Sequence, residues 1–175
     1  MINWTDIENS LHSWAFSFSG NIQAIWDNQN APQPKPTYIS LNINNVQKIG
    51  GYDDVRQKNG KEYLCGMRKI TLKVQAYGSK SLIALTKLKD SLEFPVVEQN
   101  FKNVGLAVVE ALDILNTSID LETVWENRHS MDIFFHVASN VEMPDSIFLN
   151  KVDIGGELLD DQDNKHQLDV EINNP

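Results

Sequence analysis

The sequence predicts an α+β fold in which about two helices pack on one face of a mostly antiparallel sheet. Two periodicities lead to this prediction: apolar residues recur every three or four positions in some segments and alternate with polar residues in others. The 175 residues, of which 41% are hydrophobic and 22% charged, suffice for one domain with a buried core. This composition excludes a disordered or fibrous protein.

The first helix is predicted near the N-terminus, where apolar residues are spaced by three and four: Trp4, Ile7, Leu11, Trp14 and Phe18. Thr5 and Glu8 have the spacing of a capping box at its start, and Gly20 is expected to end it. The tryptophans of this region, including Trp26, are interpreted as core anchors against a sheet, with ligand stacking as the alternative.

A proline-rich connector, Asn28 to Pro36, follows the helix. Its three prolines each lack an amide hydrogen and hold φ near about −65°, which excludes a helix or a central strand. The connector is therefore expected to be extended. From Tyr38 onward a half-buried strand is predicted, because apolar and polar positions alternate at Ile39, Leu41 and Ile43.

The polar segment Gly50 to Lys61 is interpreted as a loop or the tip of a long hairpin. The clearest strand comes next, with apolar residues at positions 70, 72, 74 and 76, and it stops at Gly78. Ser79 is expected to cap a second helix that Pro95 ends. This helix would place four leucines on one face: Leu82, Leu85, Leu88 and Leu92.

Further strands are predicted in the C-terminal part of the chain. One lies near Leu106 to Leu115, and the last runs from Ile147 to Ile154 and is closed by Gly155 and Gly156. Between them, Met131, Ile133, Phe135 and Val137 alternate with Asp132, Phe134 and His136. Because Phe134 makes the second face partly apolar, this strand is expected to be central or covered at an interface.

The chain is predicted to be a single domain over residues 1–158, followed by an acidic tail over residues 159–175. From Gly156 onward six acidic residues face a single lysine, Lys165, which is typical of a solvated, mobile tail. Leu168, Val170 and Ile172 alternate, however, so the tail could instead add a strand to a neighbouring subunit.

The charge balance bears on the class of partner. The chain has 15 Lys and Arg against 24 Asp and Glu, a net charge of −9, which argues against wrapping nucleic acid or binding an anionic membrane. No apolar run reaches about 20 residues, and the N-terminus lacks the order of an export signal. We expect a soluble, intracellular protein without a disulfide framework, since Cys65 is the single cysteine and is interpreted as a packed thiol.

The motifs of catalysis and cofactor binding are missing from the sequence. No glycine-rich loop of the phosphate-binding type and no GxSxG elbow is present, and the four histidines are not spaced as metal ligands. The sequence therefore predicts no enzyme, no cofactor and no metal. The alternative is a small-molecule-binding or hydrolytic domain with a pocket near His129, Asp132 and His136. Glu126 and Arg128 would share one side of a strand, which favours an ion pair or an intersubunit contact.

Several motifs together resemble those of one family. The stretch IWDNQNAPQPKPTYISLNI (Ile25 to Ile43) is similar to the D-Q/N-N-x-P-x-P-x-x-P-Y-x-x-L segment of neck or tail terminator (tail completion) proteins of contractile-tailed bacteriophages. VWENRHSMDIFFHV (Val124 to Val137) resembles their E-x-R-x-x-x-D-I-x-F strand. ITLKVQAYG with the leucine helix, and the closing IFLNKVDIGGEL, are similar to further family elements, so the resemblance covers about residues 1–158.

The resemblance implies a tail-terminator-like fold and a structural virion protein of the neck, assembled in the cytoplasm of the bacterial host. Such a subunit forms a homo-oligomeric ring, a hexamer by analogy, which terminates the tail tube and joins it to the head-side connector. The implied partners are further copies of the chain, the tail tube protein, possibly the sheath, and head-side connector proteins. Genome DNA would pass through the channel without specific binding, and no membrane is involved. Another neck connector or adaptor is the alternative.

Candidate contacts between subunits or rings are taken from the long non-regular segments and the charged pair. The connector contributes most of them: Asn28, Gln29, Asn30, Pro32, Pro34, Pro36 and Tyr38. The polar segment after Gly50 contributes Asp53 and Asp54, and the later strand contributes Glu126 and Arg128.

Overall fold

The computed structural model describes residues 2–27, 34, 37–120, 125–144, 151–159 and 165–173, which form three helices and ten strands. The helices are α1 (Trp4–Phe18), α2 (Ser81–Ser91) and α3 (Pro95–Asn103). The strands are β1 (Gln23–Trp26), β2 (Tyr38–Lys58), β3 (Lys61–Tyr77), β4 (Leu106–Ala111), β5 (Leu115–Asn116), β6 (Ile119–Asp120), β7 (Trp125–Glu126), β8 (Arg128–Glu142), β9 (Lys151–Leu159) and β10 (Lys165–Asn173).

The main sheet has the strand order β1-β2-β3-β8-β4, with β5 also paired to β8. Only the β1–β2 pair is parallel among the pairs of this sheet. Two small antiparallel sheets, β6–β7 and β9–β10, are separate from it. The predicted combination of helices with a mostly antiparallel sheet is confirmed.

The first helix has the predicted row of buried apolar residues but not the predicted N-terminal cap. Ile7, Leu11 and Trp14 are buried, and the chain leaves the helix at Gly20, where φ is +96°. The side chain of Asn3, rather than Thr5, accepts a hydrogen bond from the Asp6 amide at 3.4 Å. The capping-box prediction is wrong because the helix begins at Trp4, which leaves Thr5 inside the first turn.

The second helix begins later than predicted, and a third helix follows it. Lys80 occupies the cap position of α2 without a side-chain hydrogen bond, and Leu82 is 49% exposed because Ser81 and Ala84 complete the buried stripe. Pro95 does not simply end a helix. It lies in the first turn of α3, where its missing amide hydrogen is not needed.

An aromatic chain joins the helices to the sheet. The Trp14 and Phe101 rings meet edge to face at 5.8 Å, and Phe101 meets Phe135 of β8 at 5.5 Å. Trp14 also donates a hydrogen bond from Nε1 to Ser91 Oγ at 2.9 Å. The interpretation of the tryptophans as core anchors is confirmed, since Trp4 and Trp26 pack against the same core.

The polar segment Gly50–Lys61 is strand and turn rather than a loop. Strands β2 and β3 form one long hairpin whose turn is Asn59–Gly60, with φ of +54° and +74°, as a type I′ turn requires. The loop interpretation is wrong, and the hairpin tip is confirmed. Both faces of this ribbon carry many polar residues, so its sequence is similar to that of a loop.

The C-terminal strands also differ from the expectation. Strand β9 continues through Gly155 and Gly156, which do not close it, and β10 pairs with β9 of the same chain, with Ile154 opposite Val170. Residues 147–150 of the predicted last strand lie outside the described residues. The strand predicted near Leu106 to Leu115 is divided into β4 and β5, which both pair with β8.

Candidate subunit-contact surface

Three strands continue past the helix-covered core and form an extension that we call the arm, residues 46–69 and 138–142. The last fully buried apolar residue of β3 before the arm is Ile70, and the last buried apolar residue of β8 is Val137. From Ile70 to the turn at Asn59–Gly60 the arm extends about 30 Å, at about 3.3 Å per residue. The arm therefore contributes surface rather than core.

Alternation along the strands gives the arm two faces. The helix-side face continues the side of the sheet on which Ile70 and Val137 pack under the helices. The far face is the opposite one, where Lys69 places its ammonium 3.6 Å from the centre of the Phe134 ring. The two faces carry different chemistry.

A buried carboxylate lies at the centre of the helix-side face. The Asp53 side chain is 7% exposed and accepts two hydrogen bonds from the Arg68 guanidinium, at 2.6 and 3.1 Å. Lys48 lies 3.3 Å from the same carboxylate. The Arg68 guanidinium, helped by Lys48, holds the pKa of Asp53 below its ordinary value although burial opposes this. The carboxylate in turn raises the pKa of Arg68.

A bulge brings Asp53 to this position. Ile49 is opposite Met67 and Asp54 is opposite Cys65, so four residues of β2 face a single residue, Gly66, of β3. A Cβ on Gly66 would lie 2.0 Å from Asp53 Oδ1, which real contacts do not allow. The absence of a side chain at Gly66 is therefore what lets the carboxylate sit over β3.

An apolar row crosses the arm next to this charge cluster. Val55, Leu64 and Val141 are opposite one another in β2, β3 and β8, on the helix-side face. They are 55%, 36% and 41% exposed, respectively. Isolated exposed apolar residues are ordinary, but three neighbours across three strands form a continuous apolar patch. We call these three residues the apolar row.

The strand edges of the arm are the second notable feature. Strand β1 pairs with β2 only as far as Leu41, and β4 pairs with β8 only as far as Val137. In the described part of the chain, strand pairing on both outer sides therefore ends before the arm begins. Open edges of this kind favour association with another chain unless they are protected.

The predicted contact residues are distributed unevenly. Asn28, Gln29, Asn30, Pro32 and Pro36 lie outside the described residues, and Pro34 is half-buried outside any helix or strand. Asp53 uses its carboxylate inside the chain, whereas Asp54 is 75% exposed and lies 3.9 Å from Arg56.

Tyr38 and Arg128 both contact Tyr77 at the base of the sheet. Tyr38 is 3% exposed and stacks on Tyr77, with ring centroids 4.4 Å apart, and the Arg128 guanidinium lies over the Tyr77 ring at 4.9 Å. Burial raises the pKa of Tyr77. In the described part of the chain no ion pair joins Glu126 to Arg128, because Arg128 extends over the ring instead.

The residues of the alternative small-molecule site do not converge. The His129 ring lies 2.9 Å, through Nδ1, from Ser81 Oγ on the helix side of the sheet. Asp132 and His136 are an odd number of residues away along β8 and so belong to the far face. Within the described ranges, no group of three or more His, Cys, Asp and Glu residues is placed to hold a metal ion.

The described residues also line concavities elsewhere, among them the following two. One, of about 280 Å³, lies between α1 and α3 and is lined by serines, Asn100 and aromatic rings. The other, of about 530 Å³, lies on the far face near the arm tip and includes Arg56, Tyr63 and the half-buried Cys65. Neither contains the set of positioned acid, base and nucleophile that hydrolysis needs.

A comparison with protein families decides the class of protein. The family model described as phage neck terminator protein matches residues 5–162, most of the chain. The chain belongs to the phage neck terminator family. A comparison with curated proteins gave no match.

Membership of the terminator family confirms the resemblance to neck terminators seen in the sequence motifs. It indicates a structural role in the neck and in tail completion, as a component of the virion. None of the described helices is long and apolar enough to cross a membrane. The surface most relevant to a structural role is the arm, with its apolar row and open edges.

Proposed function

We propose that this chain is the subunit of a ring, six copies in a contractile-tailed phage, that terminates the tail tube and joins it to the head-side connector. The family match supports a role in the neck. The observation that carries the ring is the arm, where Val55, Leu64 and Val141 remain exposed in an isolated chain. A neighbouring copy would cover this surface.

The physical argument concerns closure. An arm that projects from one side of the subunit contacts a different surface on its neighbour, which makes the contact heterologous. Repeated heterologous contacts close into a ring or grow into a filament, and a ring covers every such surface. A ring with a central opening also leaves a path for the genome.

The proposed partners follow from this position. One side of the ring would contact the tail tube protein, with the sheath beside it, and the other side would contact head-side connector proteins. The ring would assemble in the host cytoplasm. The net charge of −9 per chain supports a channel that guides DNA without binding it, because acidic side chains facing the channel repel phosphates.

Light scattering of the purified protein, alone and with tail tubes, tests the ring. Six chains of 19.9 kDa give roughly 120 kDa. We expect this mass in solution or on the tube ends, and a sixfold density at the neck in electron microscopy of virions. A monomer that stays off tube ends would overturn the proposal.

A phage lacking the protein separates the terminator from the alternative, another neck connector or adaptor. Loss of a terminator should leave tails of faulty length that do not attach to heads. Normal tails beside heads with an incomplete connector would assign the chain to the head side instead.

A further inference from the structure

The outer part of the arm has two strand edges, and these edges belong to different strands. Among the described strands, β1 pairs with β2 only as far as Leu41, and β4 pairs with β8 only as far as Val137. Farther out, β2 and β8 each pair with β3 on one side alone. Their other sides present the backbone N–H and C=O groups through which a further strand adds to a sheet.

The two edges run in the same direction. Strands β2 and β8 are both antiparallel to β3, so each runs from the base of the sheet toward the end of the arm. In a ring, copies related by rotation about one axis have arms that point alike. The β8 edge of one copy and the β2 edge of the next would therefore meet as parallel strands. The base already has a parallel pair on this side of β2, the pair β1–β2.

The apolar side chains at the two edges match when the arms meet level with each other. Val55 and Val141 are both opposite Leu64, so they lie at one level on the helix-side face. They are 55% and 41% exposed. Level pairing places Val141 of one copy beside Val55 of the next, so the apolar row continues from arm to arm. Each valine then loses exposed apolar surface, which favours the contact.

The charges on the far face favour the same register. Arg56 and Glu142 are both opposite Tyr63, and their side chains are 72% and 50% exposed. Level pairing places the Glu142 carboxylate of one copy beside the Arg56 guanidinium of the next. Glu142 already pairs with Lys61 of its own chain, but the two oxygens of a carboxylate accept from more than one cation. A shift of one residue would instead place a charged residue beside a valine.

The bulge of β2 separates these edges from the wider base. Strands β1 and β4 widen the sheet at the base, so neighbouring copies need room there while their arms meet. Residues 50–53 lie between the pairs Ile49–Met67 and Asp54–Cys65. A bulge bends its strand and increases the twist, which allows β2 to follow a neighbouring arm from Asp54 outward.

We propose that neighbouring copies join their arms edge to edge. The β8 edge around Val141 of one copy pairs in parallel with the β2 edge around Val55 of the next. Each partner contributes a different edge, so the contact is heterologous, and a closed ring of such contacts leaves neither edge open. This inference rests on the proposed ring and names the contact that would build it.

Disulfide formation between chosen positions tests the pairing. In a Cys65→Ser background, each full-length chain carries both Val55→Cys and Val141→Cys. Within one chain these positions lie two strands apart, about 10 Å, which is too far for a disulfide. On paired strands of two copies they lie about 5 Å apart, within reach of one. Mild oxidation of the protein, alone or on tail tubes, should link chain after chain into a ladder that ends at the closed ring.

Matched controls change the strand or the face. A mixture of chains carrying Leu64→Cys alone and Val141→Cys alone should form few dimers, because Leu64 lies on the central strand. A chain with Val55→Cys and Ala138→Cys should give no ladder, because Ala138 lies on the far face of β8. Equal yields for all pairs would show random collision. Dimers from Val55→Cys alone or Val141→Cys alone would show that like edges pair. Either result would overturn the proposal.

Charge reversal gives an independent readout of the register. Arg56→Glu and Glu142→Arg should each weaken self-association about twofold to fivefold per contact, since like charges then lie side by side. The double variant should recover it. Lys58→Glu combined with Glu142→Arg is the control and should recover far less, because Lys58 lies two residues farther along the same edge. Circular dichroism of each variant would confirm that the subunit remains folded.

The outcomes distinguish this contact from the ring itself. A ring of the expected mass that gives no ladder and is unaffected by either charge reversal would overturn the edge pairing and leave the terminator proposal standing. Slow amide hydrogen exchange throughout residues 54–58 in a dilute monomer would show that the chain covers its own edge, and would also overturn the contact. Failure of the unmodified protein to assemble even on tail tubes would count against the ring.

Discussion

The base and the arm of the sheet are made from the same strands but have opposite relations to solvent. At the base, Ile70, Leu72, Ile133 and Phe135 are fully buried beneath the helices. A few residues farther along, the same face carries an ion-paired carboxylate and exposed valines. Burial at the base stabilises the subunit, whereas the apolar row of the arm stays exposed in an isolated copy. Because the same strands run through both regions, the stable base holds the contact surface of the arm at a distance from the core.

The largest effect on stability should come from the base. Phe135→Ala removes a fully buried ring that meets Phe101 edge to face, and we expect a loss of about 3–5 kcal/mol in the free energy of unfolding. Urea denaturation followed by circular dichroism measures it. Phe134→Ala is the matched control: this ring is half-buried on the far face, so the loss should be about 1 kcal/mol. Equal losses would contradict the division into two faces.

A smaller but still clear effect is expected where the arm leaves the base. Gly66→Ala places a methyl group within 2.0 Å of Asp53 Oδ1, which must displace the carboxylate from Arg68. The atoms that the methyl group meets belong to the side chains of Asp53 and Arg68, so these side chains must move apart, and we expect a lower melting temperature from the loss of their ion pair. Gly51→Ala is the control, since a Cβ there meets no atom within 4 Å and should be tolerated. Thermal unfolding of the two variants compares them, and an unaffected Gly66→Ala would refute the bulge geometry.

The difference between base and arm also explains which parts of the fold the sequence predicts. At the base, one side of each strand is buried, so β3 and β8 have the alternation that Leu72 and Ile133 exemplify, and both strands are predicted. Along the arm both faces are accessible and the alternation disappears. The signals that remain are the Asn59–Gly60 turn and a glycine, Gly66, inside a strand.

The candidate site is predictable only in part, for a related reason. Sequence reasoning selects Asp53 because it lies in a polar segment, but not its partner Arg68, because their pairing depends on a register shift across the bulge. The apolar row is similarly hidden, since Val55, Leu64 and Val141 become neighbours only through the pairing of three strands. The third helix is missed because Pro95 can begin a helix as well as end one.

The ion pair of the arm should make stability depend on acid pH. The folded-state pKa of Asp53 lies below its ordinary value of about 3.9, so the carboxylate contributes stability above that value. This contribution is lost as the pH falls through the folded pKa. The melting temperature of the unmodified protein should fall between pH 7 and acid pH. This fall should be smaller in Asp53→Asn, which lacks the carboxylate. Asp54→Asn, at a site 75% exposed, is the control, and its melting temperature should fall as much as that of the unmodified protein.

The smallest effect on stability should be found at the apolar row itself, and Val141 offers the sharpest comparison with the base. Val137 and Val141 lie on the same face of β8, 4% and 41% exposed. Val137→Ala should cost about 2 kcal/mol through lost burial and a cavity, whereas Val141→Ala should change the free energy of unfolding by less than about 0.5 kcal/mol. Self-association, measured by light scattering on folded variants, should show the reverse order. It should be weaker in Val141→Ala than in Val137→Ala. If Val141→Ala destabilised the isolated subunit as much as Val137→Ala, the arm would be part of the core and not a surface for a neighbour.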